Sequence, residues 1–284
     1  MSHAEITWHA HPEAWALALS LVAGYVYALR RLGPLFHPRP GDPAATRGQK
    51  LAFAGAIVTL LVTSASPLHD VGEDLLFSAH MIQHLLDVFV VPPLLLLGTP
   101  RWLAELLLRD NRVAQTVRSL SSPVFAAVAF NGMLMLIHWP QVVDWMVAHE
   151  GFHLSSHLVL FLTAMLMWLP VASPTPKIPR LSPPAQMGYL FLMTILPTVP
   201  ASFLTFGESP LYKAYEAVPR LWGIDALTDM QYAGVIMKLG GGLYLWTVIA
   251  VLFFRWAAGE ERAERAGHAG TPAEPAPEPS TTNR

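Results

Sequence analysis

Apolar positions along this chain gather into seven long runs, parted by short polar or proline-rich stretches. The runs are about Ala14–Leu32, Leu51–Ser66, Leu75–Gly98, Ser122–Trp139, His153–Val171, Ala185–Phe206 and Gln231–Trp256. Their lengths cluster near the roughly 20 residues with which an α-helix crosses a bilayer. The pattern predicts an all-α, polytopic membrane protein: a bundle of seven transmembrane helices over residues 14–256. Residues 1–13 are a polar N-terminal segment, and residues 257–284, charged and then rich in Pro, Ala and Glu, read as a disordered tail. Pro92-Pro93 removes two backbone donors from the third run and predicts a kink or break there. Gly240-Gly241-Gly242 in the seventh run permits close helix contact. Between the third and fourth runs, positions 102, 103, 106, 107, 113, 117 and 120 place apolar residues at helical spacing against a basic face. That predicts a helix lying on the cytoplasmic membrane surface.

Composition agrees with lipid as the solvent, since 53% of the 284 residues are hydrophobic and 13% charged, against roughly 25% charged in soluble domains. The distribution of basic residues orients the bundle. All but three of the 18 Lys and Arg fall in the loops after runs one, three and five, in the tail, or at the adjoining helix ends. Lys213 and Arg220 lie on the other side, and Lys238 lies within the seventh run. Basic loops stay in the cytoplasm, so the N-terminus is outside and the C-terminus cytoplasmic. The N-terminus shows neither the basic stretch nor the small-residue cleavage site of a signal peptide, so the first run reads as a retained helix. There are no cysteines. Disulfides, thiolate ligation and redox dithiols are excluded, and any metal must be held by His, Met or carboxylate.

Histidine supplies the candidate chemistry. Ten of the 12 histidines fall on the outer half, His37 and His268 being the exceptions. His80 and His84 share a helix face at the start of the third run, roughly 7 and 13 Å below its beginning. His138 closes the fourth run, and His153 and His157 repeat the four-residue spacing at the start of the fifth. Ionisable groups in such segments are costly and usually serve a purpose. The two pairs with His138 predict one outer-half cavity holding a metal or haem. A helix-end histidine bonded to a carbonyl or to interfacial water is the plainer reading, and it suits His69 and His149 best. Imidazole with thioether suits copper, and sulfur favours Cu(I). Met81 beside His80, and Met135 three residues before His138, are the candidate sulfur ligands, although methionine is also ordinary membrane packing. Asp87 and Lys238 both fall near the bilayer middle, where an unpaired charge is expensive, so they are expected to pair across runs three and seven. Asp87 as a partner that orients His84 is the alternative. The aromatic stretch 207–230 reads either as a lid or docking surface over the cavity, or as a loop packed on its own helices.

No zinc-protease, nucleotide-binding or paired-carboxylate pattern is visible, and nothing points to nucleic acid. His80-Met-Ile-Gln-His84 followed by Val91-Pro-Pro-Leu-Leu-Leu-Leu-Gly-Thr-Pro100 resembles the signature of the CtaG-type cytochrome c oxidase assembly factors. His138-Trp-Pro140, the pair His153 and His157, Pro210-Leu-Tyr212, Pro219-Arg-Leu-Trp-Gly223 and Asp229-Met-Gln231 extend the resemblance across most of the seven runs. Two positions depart from the family pattern: Asp87 stands at an apolar position, and Met230 stands where glutamine is usual. The resemblance implies a seven-span, multi-pass protein of the bacterial plasma (inner) membrane that is not an enzyme. It further implies a role in maturing a haem–copper oxidase through copper supply, with oxidase subunits and a periplasmic copper donor as partners. A membrane cytochrome with haem between the histidine pairs is the alternative. A retinal protein using Lys238 with Asp87 as counter-ion shares the topology alone. A copper transporter would need ligands continuing inward from the outer cluster, and no such line is legible.

Overall fold

The computed structural model describes residues 8–37 and 42–269, and it is helical throughout its long segments. Six helices are long and apolar enough to cross a membrane: Pro12–Phe36, Arg47–Ala65, Phe77–Gly98, Glu150–Ala172, Pro183–Thr205 and Ala226–Arg265. The fourth expected span is the shorter helix Pro123–Ile137, which bends by 65° from the preceding Asn111–Leu120. The chain is a polytopic all-α membrane protein. Spans are numbered here in chain order, with Pro123–Ile137 as the fourth. Large apolar side chains such as Val124 and Leu154 point outward, 77% and 73% exposed, as lipid-facing positions do when no aqueous solvent drives them inward.

The third span is the hub. It packs against the second, fifth and seventh spans, and it is the most buried of the crossing helices. The second and third spans meet where Gly98 lies against the backbone of Phe53: a Cβ added there would come within 2.8 Å of Phe53 N. The Tyr25 hydroxyl donates to Gly98 O at 2.9 Å, and its ring stacks on Phe53, which fixes the first span to this pair. Gly240 and Gly241 admit Leu85 and Phe89 of the third span, while Gly242 meets nothing.

The proline pair does not break the third span. A π-helical turn over Leu86–Val90 resets the ladder, so Pro92 and Pro93 stand in the first turn of Val91–Gly98. Of the carbonyls that the missing donors release in the preceding turn, Val88 O accepts from the Trp168 indole N–H at 2.9 Å. Two other expectations change. The short polar stretch that parts the second and third runs is itself a helix, Pro67–Asp74, capped by the Ser66 hydroxyl. The seventh span runs on as helix to Ala269, so the beginning of the segment expected as a disordered tail is helical. Residues 270–284, and residues 1–7 of the N-terminal segment, lie outside those described. The amphipathic stretch forms two short helices, Arg101–Leu107 and Asn111–Leu120, with the Asp110 carboxylate capping the second. Trp102 is buried and donates to Ala44 O at 2.7 Å, whereas Asn111–Leu120 buries no residue.

Gly98→Ala is expected to lower stability by about 1–3 kcal/mol, the usual cost of overpacking against rigid backbone. Thermal unfolding of the purified protein reads it, and an unchanged midpoint would contradict the close approach of spans two and three.

Candidate metal centre

The site is assembled at the start of the third span. Leu76 occupies the cap position there and provides no side-chain cap. The Asp229 carboxylate of the seventh span does so instead, accepting from Phe77 N–H at 2.7 Å and Ser78 N–H at 3.0 Å. One buried carboxyl group thus satisfies two orphan donors at the start of the helix. Behind the helix, Gly72 leaves room for Gln83, whose amide donates to Thr63 O at 2.7 Å.

The five histidines named from the sequence come together. Ring centroids are 4.5 Å apart for His80–His84, 4.4 Å for His153–His157, 5.3 Å for His80–His157 and 4.6 Å for His84–His157. His138 stands 6.2 Å from His84. Within this group, one ligand atom each from Glu73, His80, His153 and His157 lie within 4.8 Å of one another. Glu73 bridges two spans: Oε1 is 3.1 Å from His80 Nδ1, off the line of a hydrogen bond, and Oε2 is 3.3 Å from His153 Nδ1. Burial works to raise the Glu73 carboxyl, but His80, His153 and His157 outweigh it and hold the group down at about 2. Glu73 is therefore an anion at neutral pH. It lies in the short polar stretch between the second and third runs, and the helical turn that brings it over His80 had no apolar run to reveal it.

Orphaned nitrogen marks the centre. His157 Nε2 and His138 Nε2 are buried without a hydrogen-bond partner. His138 Nδ1–H donates to Leu134 O at 2.7 Å, so its proton is on Nδ1 and the Nε2 lone pair is free. A backbone carbonyl holding one imidazole nitrogen while the other stays open is the usual arrangement behind a metal-bound histidine. His84 Nε2 is 2.8 Å from His80 Nε2, linking the outer group to a deeper one.

Other residues named from the sequence fall differently. Met81 is buried and lines a cavity with His84 and His138. Met135 does not line it; Leu134 does. His138 caps its helix and folds back onto the carbonyl four residues earlier, so the shared face is that of Leu134. Asp87 does not meet Lys238. It is bonded to the Thr63 hydroxyl at 2.7 Å, toward the second span. Lys238 lies 5.8 Å from the Phe206 ring, near the end of the sixth span. A long aliphatic stem lets the ammonium climb toward the interface and an aromatic face, which relieves the cost that pairing was expected to meet. Over the site, Tyr212 and Tyr215 are buried against Phe77, and the Tyr212 hydroxyl donates to His138 O at 3.0 Å. The stretch 207–230 thus packs on its own helices there, while Trp222 is 72% exposed. Met230 is structural: its sulfur accepts from Leu211 N–H at 3.1 Å.

Fold and site together define a polytopic helical membrane protein with a half-buried imidazole–carboxylate cluster toward one end of the bundle. The model of the family described as cytochrome c oxidase caa3 assembly factor (Caa3_CtaG) matches residues 23–259, and the chain belongs to that family. It is 26% identical over 273 residues to an uncharacterized protein of Mycobacterium bovis and, with the same figures, to one of Mycobacterium tuberculosis; these matches cover 87% of this chain and 38% of the relatives. An uncharacterized protein of Mycobacterium leprae is 24% identical over 265 residues, covering 88% of this chain and 38% of that protein. The chain thus spans little more than a third of the length of these curated relatives. No solved structure matches it.

The N-terminal segment closes the same end. His9 N–H donates to Asp70 Oδ2 at 3.1 Å, His11 Nε2 is 3.0 Å from Asp70 Oδ1, and Trp8 donates to Ala65 O. Burial works to raise the Asp70 carboxyl, but the His9 backbone and the His11 and His9 rings outweigh it and hold it below its ordinary 3.8. A lowered carboxyl adds stability above its unfolded value and loses it as pH falls through the folded one. Docking of this segment is therefore expected to hold above about pH 4 and to weaken progressively below it. The fluorescence difference between the protein and its Trp8→Phe variant reports the release. A Trp8 signal unchanged on acidification would contradict the anchor.

Proposed function

We propose that the protein assists maturation of a haem–copper oxidase by binding copper at the outer-facing centre and passing it to oxidase subunits. The observation that carries this reading is the convergence of Glu73, His80, His153 and His157, with a buried, unpartnered His157 nitrogen among them. Membership in an oxidase assembly family supplies the context. Three imidazoles and a carboxylate, with no thiolate in the chain, make a nitrogen–oxygen site of the kind that copper, zinc or iron accepts. Of these, copper is the metal that an oxidase assembly factor has reason to carry. The role is binding and transfer, with no bond made or broken in an organic substrate. The setting is a bacterial plasma membrane with the centre facing a periplasmic donor.

Haem between the histidine pairs fits less well. The rings stand 4.4–5.6 Å apart, and the cavity beside them has a volume of about 30 Å³, which leaves no space for a macrocycle.

His153→Ala combined with His157→Ala is expected to weaken copper binding at least ~10-fold, the scale on which site residues govern affinity. Metal analysis and chelator competition on the purified protein measure it, with thermal unfolding as the check on folding. Copper content equal to that of the unaltered protein, or wild-type protein that retains only zinc or iron, would contradict the reading.

A further inference from the structure

Beneath the histidine group lies the cavity of about 30 Å³, room for one water molecule or one ion. Its wall contains Met81 and His84 from the third span, His138 after the fourth, Met193 from the sixth and Met237 from the seventh. Three thioethers from three spans therefore meet two imidazoles at one small void. We propose that this void is a second metal site, one for a soft monovalent ion, Cu(I), whose ligands are drawn from Met81, His84, His138, Met193 and Met237. The proposal rests on the reading that the outer centre takes copper, and it deepens that reading by dividing the cluster into two sites of different character.

Packing alone accounts for a buried methionine, since thioethers fill irregular gaps. It does not account for His138. That residue is 7% exposed, its Nδ1–H is committed to Leu134 O, and its Nε2 lone pair has no partner. An apolar void stays empty at little cost, whereas an unpartnered nitrogen beside it pays for its lost hydration. Sulfur and neutral imidazole are the ligands that select Cu(I), while the outer carboxylate and imidazoles, without sulfur, accept copper with less preference for its oxidation state. Met193 is held in place by Asn131, whose amide donates to its sulfur at 3.3 Å and leaves a second lone pair available. Lys238 also borders the void, but it is exposed and lies against Phe206. The two sites touch through His80 and His84, whose Nε2 atoms are 2.8 Å apart. An ion moving between them exchanges a bond to His80 for one to His84 with no change of oxidation state. The inward line of ligands that the sequence did not reveal is made by Met193 and Met237, from spans distant in the chain.

The test uses the full chain in nanodiscs, loaded with two equivalents of Cu(I) without oxygen and measured by copper-edge X-ray absorption. The expected spectrum contains copper–sulfur scattering. Met81→Leu with Met193→Leu and Met237→Leu should abolish that scattering and lose one of the two equivalents. Glu73→Gln with His153→Ala should keep the scattering while losing the other equivalent. Absence of copper–sulfur scattering in the unaltered protein, or its persistence in the triple methionine variant, would overturn the proposal in favour of packing around a water. Failure of the outer reading looks different: Glu73→Gln with His153→Ala would then lose nothing. Selenomethionine protein guards against a variant that fails to fold, because a copper neighbour at the selenium edge is expected without any substitution, and its absence would overturn the site.

Discussion

The grip of Asp229 on the first turn of the third span holds this structure in register. Phe77 and Ser78 begin a helix whose own cap position is a leucine, so two backbone donors enter a low-dielectric region with nothing local to receive them. A carboxylate from the seventh span receives both. The same contact fixes the depth of His80 and His84, because both lie within the next two turns of that helix. It also packs the glycines at 240 and 241 against Leu85 and Phe89, so the seventh span closes on the third along its length.

With the third span fixed, the polar groups of the bundle must satisfy one another. Glu73 reaches over from a short helix outside the crossing segments and lies between His80 and His153. It brings one negative charge to a group of imidazoles otherwise without a counter-charge, and that local field overrides the penalty of its own burial. Deeper in, no carboxylate lines the cavity, and beside the hydroxyls of Thr194 and Thr198 its polar lining adds the sulfurs of Met81, Met193 and Met237 to the imidazoles of His84 and His138. That change from carboxylate to thioether over two helical turns is the physical basis of the two-tier arrangement we propose.

Much of this was legible in the chain because the membrane simplifies the code. Length and hydropathy marked the spans, and four-residue spacing put each histidine pair on one face. What escaped had physical causes. Glu73 sits in a helix of eight residues with no apolar run to announce it. Asp229 caps a helix 151 residues away from Ser78, a relation that no local pattern encodes. Asp87 and Lys238 lie at matching depths, but depth does not specify azimuth: Asp87 turns to Thr63, and Lys238 has enough reach to leave the interior. Met135 was placed by helical spacing, and that spacing fails at the residue where the helix ends. Met193 and Met237 are indistinguishable in sequence from the other methionines, and the packing of four spans brings them to one void.

The central claim is that Glu73, His80, His153 and His157 form one copper centre, and anomalous scattering at the copper edge from metal-loaded protein tests it most directly. The account predicts a single strong peak enclosed by these four side chains, roughly 2 Å from each ligand atom. A peak elsewhere in the bundle, or none among these residues while copper is present in the sample, would contradict it.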